Sequence, residues 1–476
     1  MTTKIPTEIL IKIFNNVQSL RSEDLYSFLL VNRNWCNITI PLLWKLPLDQ
    51  ECCTDDEKLR KKALCIRTYI SSIFDYPSFI HKFRTDNLVH FISIYSQQII
   101  GSNNNKNESR ILFREICKLI INRCSYLEYF KLAKVARNFS ANFDDYGDSI
   151  VSILKLPGAL KVFKKLKTFI SVANDDQFRP LYELLVLICH NLLNMDLEIN
   201  SYSSYQEQLL TKLISGQKRL ENLSIIDNSY TDCHLLFWAI ISQKETLKSL
   251  RLKKLYYYRC MEKSPPIMQF TSLQELYIED CYGLNNSDCL SLASSFTQLS
   301  SFHYFDSNWC PQEFIIKIFE TANSNLRNIY LELYPEITFD SFSAILNYCT
   351  KITKLTLPNL RPEQVIAIFN NNFNELRRFS FGIEKGLDAN KLLCQMAKNV
   401  PESLETIEIQ TKMNYDPWII SASSLRNLFE GWCYKGEGNK KIIVKRTRLR
   451  QFKLSDEHFK VIEKYGVQLD IIDMEK

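Results

Sequence analysis

"LQELYIED", residues 273–280, decides the fold. Its apolar residues, Leu273, Leu276 and Ile278, follow the pattern apolar-x-x-apolar-x-apolar. The alternation at its end suits a strand with one buried side and one exposed side. Outward along the chain the phrase recurs as "LLNMDL", "LENLSI", "LKSLRL", "LSSFHY", "LRNIYL", "ITKLTL", "LRRFSF" and "LETIEI". The nine copies start at Leu192, Leu220, Leu247, Leu273, Leu299, Leu326, Ile352, Leu376 and Leu404, at successive spacings of 28, 27, 26, 26, 27, 26, 24 and 28 residues. Two looser copies, "LEYFKL" from Leu127 and "LKTFIS" from Leu166, precede them. Chance does not hold such a spacing eight times; the pattern is that of a repeat array.

Between the phrases lie amphipathic stretches such as "DCHLLFWAIISQ", "SDCLSLASSF", "PQEFIIKIFETA" and "SFSAILNYC". Their apolar residues fall at helical spacing, with Asp, Ser or Pro near several starts. One unit is therefore a short strand plus a helix. It cannot bury its apolar side alone, whereas stacked units bury a continuous core and curve, because helices are wider than strands. The expected fold is α/β: a curved solenoid with parallel strands on the concave face and helices on the convex face.

These residues resemble leucine-rich repeats of the cysteine-containing subtype. Cys124, Cys189 and Cys349 stand three positions before the first apolar residue of a phrase, and Cys281 stands three after the last. Other copies carry Phe270, Phe296 or Pro401 at the cysteine position. The position asks for a small buried residue in a tight bend. The resemblance covers residues 117–476. Near the end, "LSDEHFKVIEKYG" offers Ser455 as a helix cap and Gly466 as a stop, and "VQLDI" reads as a last strand.

Composition narrows the function. Eleven glycines in 476 residues argue against folds built on phosphate-cradling loops. The net charge of +6 is local: residues 435–453 hold eight basic residues and one acid, so the remainder sums to −1. That excludes a broadly basic nucleic-acid-binding body. Fifteen cysteines, an odd number with no C-x-x-C pair, read as reduced thiols of the cytoplasm or nucleus, and no metal site is expected. "MTTKIPTEIL" lacks a signal-peptide pattern, and no apolar run reaches a membrane-spanning length, so no membrane partner is expected.

The N-terminal stretch raises a different question. "LLVNRNWCNITIPLLW", residues 29–44, places Trp35 and Trp44 among aliphatic side chains with no core nearby to receive them. "IPTEILIKIF" sets Ile5, Ile9, Leu10, Ile13 and Phe14 on a helical stripe, and "SEDLYSFLLVNRNW" makes a second helix with Ser22 as its cap. Three short elements in about 45 residues fall below the size at which one core usually suffices. Such a unit must borrow burial from a neighbour or a partner. The stretch resembles an F-box, whose motif is met by Ile5, Pro6, Glu8, Ile9, Leu10, Ile13 and Phe14, by Asp24 and Leu25, by Leu30, Val31 and Trp35, and by Leu43 with Trp44. Ile5 and Asn32 stand where Leu and Cys are more usual.

The resemblance implies a three-helix F-box over residues 1–46 that docks on a Skp-type adaptor, and through it on a cullin. Pro6, Ile9, Leu10, Val31 and Trp35 would face the adaptor, with Ile13, Phe14, Leu25 and Leu30 shared between core and interface. Residues 47–116 are expected to be a helical connector and N-terminal cap, and residues 117–476 the array that holds a protein substrate.

In each phrase, positions three, five and seven point away from the core. In the middle repeats they gather Glu275, Tyr277, Glu279, His303, Phe305, Tyr330 and Glu332, a candidate substrate site. Aromatic faces and carboxylates both favour a partner's Lys or Arg. The alternating basic and apolar run from Ile443 to Phe452 reads as an exposed edge strand, with a nuclear-localisation or phosphate-binding patch as the alternative; nucleic acid is not the expected partner. No H-E-x-x-H, Walker or G-x-S-x-G pattern occurs. The expectation is a non-catalytic substrate receptor of a cullin–RING ubiquitin ligase, without cofactor or catalytic residue. The alternative is a repeat scaffold or regulatory interaction protein acting outside ubiquitin transfer, with a nucleic-acid contact through the basic stretch from Lys440 to Lys453.

Overall fold

The computed structural model describes residues 80–95, 106–132, 156, 158–172, 178–199, 204–228, 234–256, 270–282, 287–306, 311–333, 337–371, 373–383, 388–411, 420–433, 440–446 and 454–473. The expected F-box lies outside these residues. The chain divides into two compact units, residues 1–229 with 238–243 and residues 230–237 with 244–476.

In the first unit, five strands follow one another in chain order: β1 (Lys82–Arg84), β2 (Tyr129–Leu132), β3 (Thr168–Ser171), β4 (Asn194–Ile199) and β5 (Asn222–Asp227). Every pairing is parallel. A parallel neighbour needs a crossover, and helices such as Arg179–Ile188 and Ser204–Ser215 supply it. The inward residue at position four stacks from strand to strand, Phe83 on Phe130 at 5.8 Å and Phe130 on Phe169 at 6.1 Å. All three rings are buried. Each such side chain taken from water contributes roughly 1.5–3 kcal/mol.

The array starts earlier than the sequence suggested. Strand β1 lies inside the stretch 47–116 expected to be a connector, and it pairs in register with β2. Its phrase, "IHKFRT", ends on Thr85 where an aliphatic residue was sought. Thr85 is fully buried all the same, and its hydroxyl donates to the carbonyl of Lys131 (3.3 Å).

The cysteines serve as small buried groups. Cys124 donates to Ile80 O (2.9 Å) and Cys189 to Phe163 O (3.3 Å), and burial pushes their thiols up to about 11 and about 12. At neutral pH neither is a nucleophile. Two glutamines do the same work. Gln217 Nε2 donates to Cys189 O and Leu213 O (both 2.7 Å), while its Oε1 accepts from Leu192 N (2.9 Å). Gln243 Nε2 donates onward to Ile214 O (3.0 Å) and Gln217 O (3.1 Å). Such side-chain amides satisfy backbone groups that the tight bend leaves unpaired.

The second unit holds nine strands in chain order, all parallel: β6 (Ser249–Lys253), β7 (Glu275–Glu279), β8 (Ser301–Asp306), β9 (Asn328–Leu333), β10 (Lys354–Leu360), β11 (Arg378–Ile383), β12 (Thr406–Thr411), β13 (Lys441–Arg446) and β14 (Gln468–Asp473). The period-two alternation is observed in β7, where Leu276 and Ile278 are buried between Glu275, Tyr277 and Glu279. Helix starts are capped as their sequences ask. Asp388 accepts from the amides of Asn390 and Lys391 (3.0 and 3.1 Å), and Pro362 opens its helix at the first turn. Ser455 precedes the helix Asp456–Tyr465, and Gly466 ends it at a φ of 62°.

Two differences from the sequence reading bear on the exposed face. Strand β10 shifts register between Leu357 and Leu360, so Pro358 is buried in an irregularity rather than turned outward. Beside it, a Cβ on Gly382 would stand 2.2 Å from Pro358 O, so only glycine allows this approach. Strand β13 pairs on both sides, with β12 and with β14, and is not an edge. Its cations are largely engaged. Lys441 pairs with Asp470, Lys445 pairs with Glu408 (2.7 Å), and Lys440 is buried with its ammonium on Leu404 O (2.8 Å).

Candidate functional site

Parallel register aligns position five of successive repeats, giving the row Arg251, Tyr277, His303, Tyr330, Thr356, Ser380 and Glu408. Its first four members form a ladder. The Arg251 guanidinium lies over the Tyr277 ring at 4.5 Å. Tyr277 stacks on His303 and His303 on Tyr330, each at 5.8 Å between centroids, with interplanar angles of 28° and 18°. The strands hold these rings parallel without help from loops, so the ladder is a preorganised surface.

Position seven adds the carboxylates. Tyr277 donates its hydroxyl to Glu279 Oε2 (3.0 Å) and Tyr330 donates to Glu332 Oε2 (2.6 Å). Glu279 is also bound by Lys253 at 2.6 Å, and Glu275 accepts from the Ser249 hydroxyl (3.1 Å). Phe305 stands in register between Glu279 and Glu332, half-buried. The structure thus gathers all seven candidates on β7, β8 and β9, and adds Arg251 and Lys253. Alternation turns these two outward as well, at positions five and seven of the phrase from Leu247. Their signal was the matching position in the preceding phrase. With three glutamates against these two cations the local sum is −1, and part of the carboxylate charge is met internally.

Burial raises the Tyr277 phenol, and its hydrogen bond to Glu279 adds to the shift; Tyr330 is raised for the same reasons through Glu332. Both are neutral donors at physiological pH. Burial in the stack lowers His303, opposed by the Glu275 charge and reinforced by Arg251. A histidine held neutral in the fold leaves the unfolded chain to bind protons first. Stability is full above the ordinary value of 6.5 and declines as pH falls below it toward the lowered value. The melting temperature should therefore drop between pH 7 and pH 5.5 by more in the wild type than in His303→Gln. Equal slopes for the two proteins would remove His303 as the cause.

Farther along the row the face closes. Ser380 and Glu408 are almost fully buried although their positions point outward. Arg378 and Lys445 both bind the Glu408 carboxylate, and Gln410 Nε2 donates to Ser380 Oγ (3.0 Å) and to Glu408 Oε1 (3.3 Å). Burial alone would raise Glu408, but the two cations outweigh it and hold the carboxyl below its ordinary value.

Among the described residues no group of three or more His, Cys, Asp or Glu is placed to hold a metal ion, and no helix is long and apolar enough to cross a membrane. The expected adaptor-facing residues, Pro6, Ile9, Leu10, Ile13, Phe14, Leu25, Leu30, Val31 and Trp35, lie outside the described residues.

Comparison with known families matches residues 2–48 to the F-box-like family. The chain carries an F-box-like domain. Behind it in the chain, each of the two compact units carries parallel strands in chain order joined through helices, an α/β arrangement of leucine-rich-repeat type. Curated proteins yield no match to this chain. Among solved structures, a chain of "Crystal structure of Rad7 and Elc1 complex in yeast" is similar at 13% identity, covering 87% of this chain and 93% of that one, with a TM-score of 0.39.

Proposed function

We propose that this protein is the substrate-recognition subunit of a cullin–RING ubiquitin ligase. The F-box-like domain docks on a Skp-type adaptor, and through it on a cullin. The strand face of β6 to β9 binds the protein to be ubiquitinated. The chain performs no chemistry itself; it raises the effective concentration of the target near the ubiquitin-carrying subunit by joining two binding sites on one chain. The observation that carries this reading is the union, in one chain, of an F-box-like domain with a repeat sheet bearing a preformed aromatic ladder. In the adaptor contact we place Pro6, Ile9, Leu10, Val31 and Trp35 on the interface and let Ile13, Phe14, Leu25 and Leu30 support it. Tryptophan is among the residue types that carry most of an interface's binding energy, which singles out Trp35.

The test has two arms. Pro6→Ala combined with Val31→Ala should abolish co-purification with a Skp-type adaptor and leave the fold of the array, read by circular dichroism, unchanged. Tyr277→Ala combined with Tyr330→Ala should keep the adaptor and lose the captured protein. Adaptor binding that survived both the first pair and deletion of residues 1–45 would refute the ligase role. An unchanged set of captured proteins in the second pair would move the capture surface elsewhere.

A further inference from the structure

Among the described residues, four tyrosine hydroxyls donate to glutamate carboxylates. Tyr205 donates to Glu183 (2.9 Å) and carries Arg179 over its ring at 3.7 Å. Tyr277 donates to Glu279 and carries Arg251 at 4.5 Å. Tyr465 donates to Glu430 (2.9 Å) and carries Lys464 at 5.2 Å. The ring quadrupole and the adjoining carboxylate both attract a cation to that position. Tyr330 donates to Glu332 like the others, yet no basic side chain of the described residues lies over its ring.

One face of Tyr330 is taken by His303, which burial keeps neutral. The other face looks toward the next rung, where the register places Thr356, with Ser380 beyond it. Neither side chain is large enough to stack. The ladder therefore ends one rung short of the arrangement that closes it at its first rung, where Arg251 caps Tyr277. Glu332 acts on the Tyr330 hydroxyl as a negative charge, whereas Glu408 is already bound by Arg378 and Lys445.

We propose that an arginine of the captured protein fills this rung, its guanidinium stacked on Tyr330 above Thr356 as Arg251 stacks on Tyr277. The inference rests on the strand face being the capture surface. A planar guanidinium suits rungs whose planar groups lie 5.8 Å apart. A lysine ammonium is a compact, strongly hydrated charge and gains less from the stack. The recognised element is thus an extended segment presenting one arginine to the row.

The experiment uses the full chain against a library of short peptides in which each position is fixed in turn, with binding read by fluorescence anisotropy. The wild type should select arginine at one position, about fivefold over lysine. Thr356→Arg places the chain's own arginine in the rung and should erase that preference while the melting temperature holds. Tyr330→Leu should erase it as well. Arginine selection that persists in Thr356→Arg overturns the proposal, and so does selection of peptides with no arginine preference, which leaves the capture face standing. If the wild type binds no peptide better than Tyr277→Ala/Tyr330→Ala does, the capture face and the rung fail together.

Discussion

Trp432→Ala should cost about 3–5 kcal/mol and melt the C-terminal repeats ahead of the others. Trp432 is among the largest fully buried side chains, on the helix Ala422–Cys433, and its indole N–H donates to Leu404 O (2.7 Å). Truncation leaves a cavity that this helix is poorly able to close. A Cβ on the preceding Gly431 would already stand 2.1 Å from Ala397 O, so the backbones are in contact and cannot collapse further. The loss also removes the ring beneath Lys440, whose ammonium lies 5.7 Å from its centroid. Lys440 is buried with its ammonium on the carbonyls of Glu402 and Leu404, and burial lowers its pKa. Trp432→Phe separates the contributions. It restores most of the volume and loses the indole hydrogen bond, but Leu404 O keeps its bond from Lys440, so about 1–2 kcal/mol is expected. Because each repeat contacts chiefly its neighbours, hydrogen exchange should accelerate first across β12 to β14. A single transition shifted by less than about 1 kcal/mol in the alanine variant would show that this core is not what holds the last strands.

The period of the array was readable because every unit repeats one demand, an aliphatic residue at positions one, four and six of the strand phrase. Where another side chain met that demand, the unit went unseen. Thr85 closes β1 through a hydrogen bond, and the phrase of β13 lacks the leading aliphatic residue altogether. Gln217 stands at the position where a small buried residue was expected, and with Gln243, four places before Leu247, it succeeds by bonding backbone carbonyls across the bend. The direction of each side chain was also readable, since alternation fixes it. Its partner was not. Residues adjacent across the sheet lie about one repeat apart in the chain, and only the strand register sets Arg251 beside Tyr277. Exposure was the least legible property. Glu408 and Ser380 point outward by alternation and are nevertheless covered, because Arg378, Lys445 and Gln410 converge on them.

That convergence makes Glu408→Ala the second large effect expected. The carboxylate is buried and satisfies two cations at once, one on each neighbouring strand, so its loss sets Arg378 against Lys445 with nothing between them. Breaking a fully buried ion pair costs on the order of 3–5 kcal/mol. Here the Arg378 side chain keeps 43% of its exposure and Lys445 keeps 29%, so both can regain water. The expected loss falls to about 2 kcal/mol. Glu408→Gln should cost less, since its amide oxygen still accepts one of the two bonds. Acid separates the charge from the shape. The folded carboxyl sits below its ordinary value of 4.5, so the unfolded chain takes up the proton first as pH falls. The stability Glu408 contributes is present above that value and is lost as pH drops through the lowered one. The advantage of the wild type over Glu408→Gln should therefore shrink as pH falls from 6 to 3.5, and the two melting curves should draw together. Parallel curves across that window would mean that Arg378 and Lys445 are held by packing, and that the charge of Glu408 does nothing for the fold.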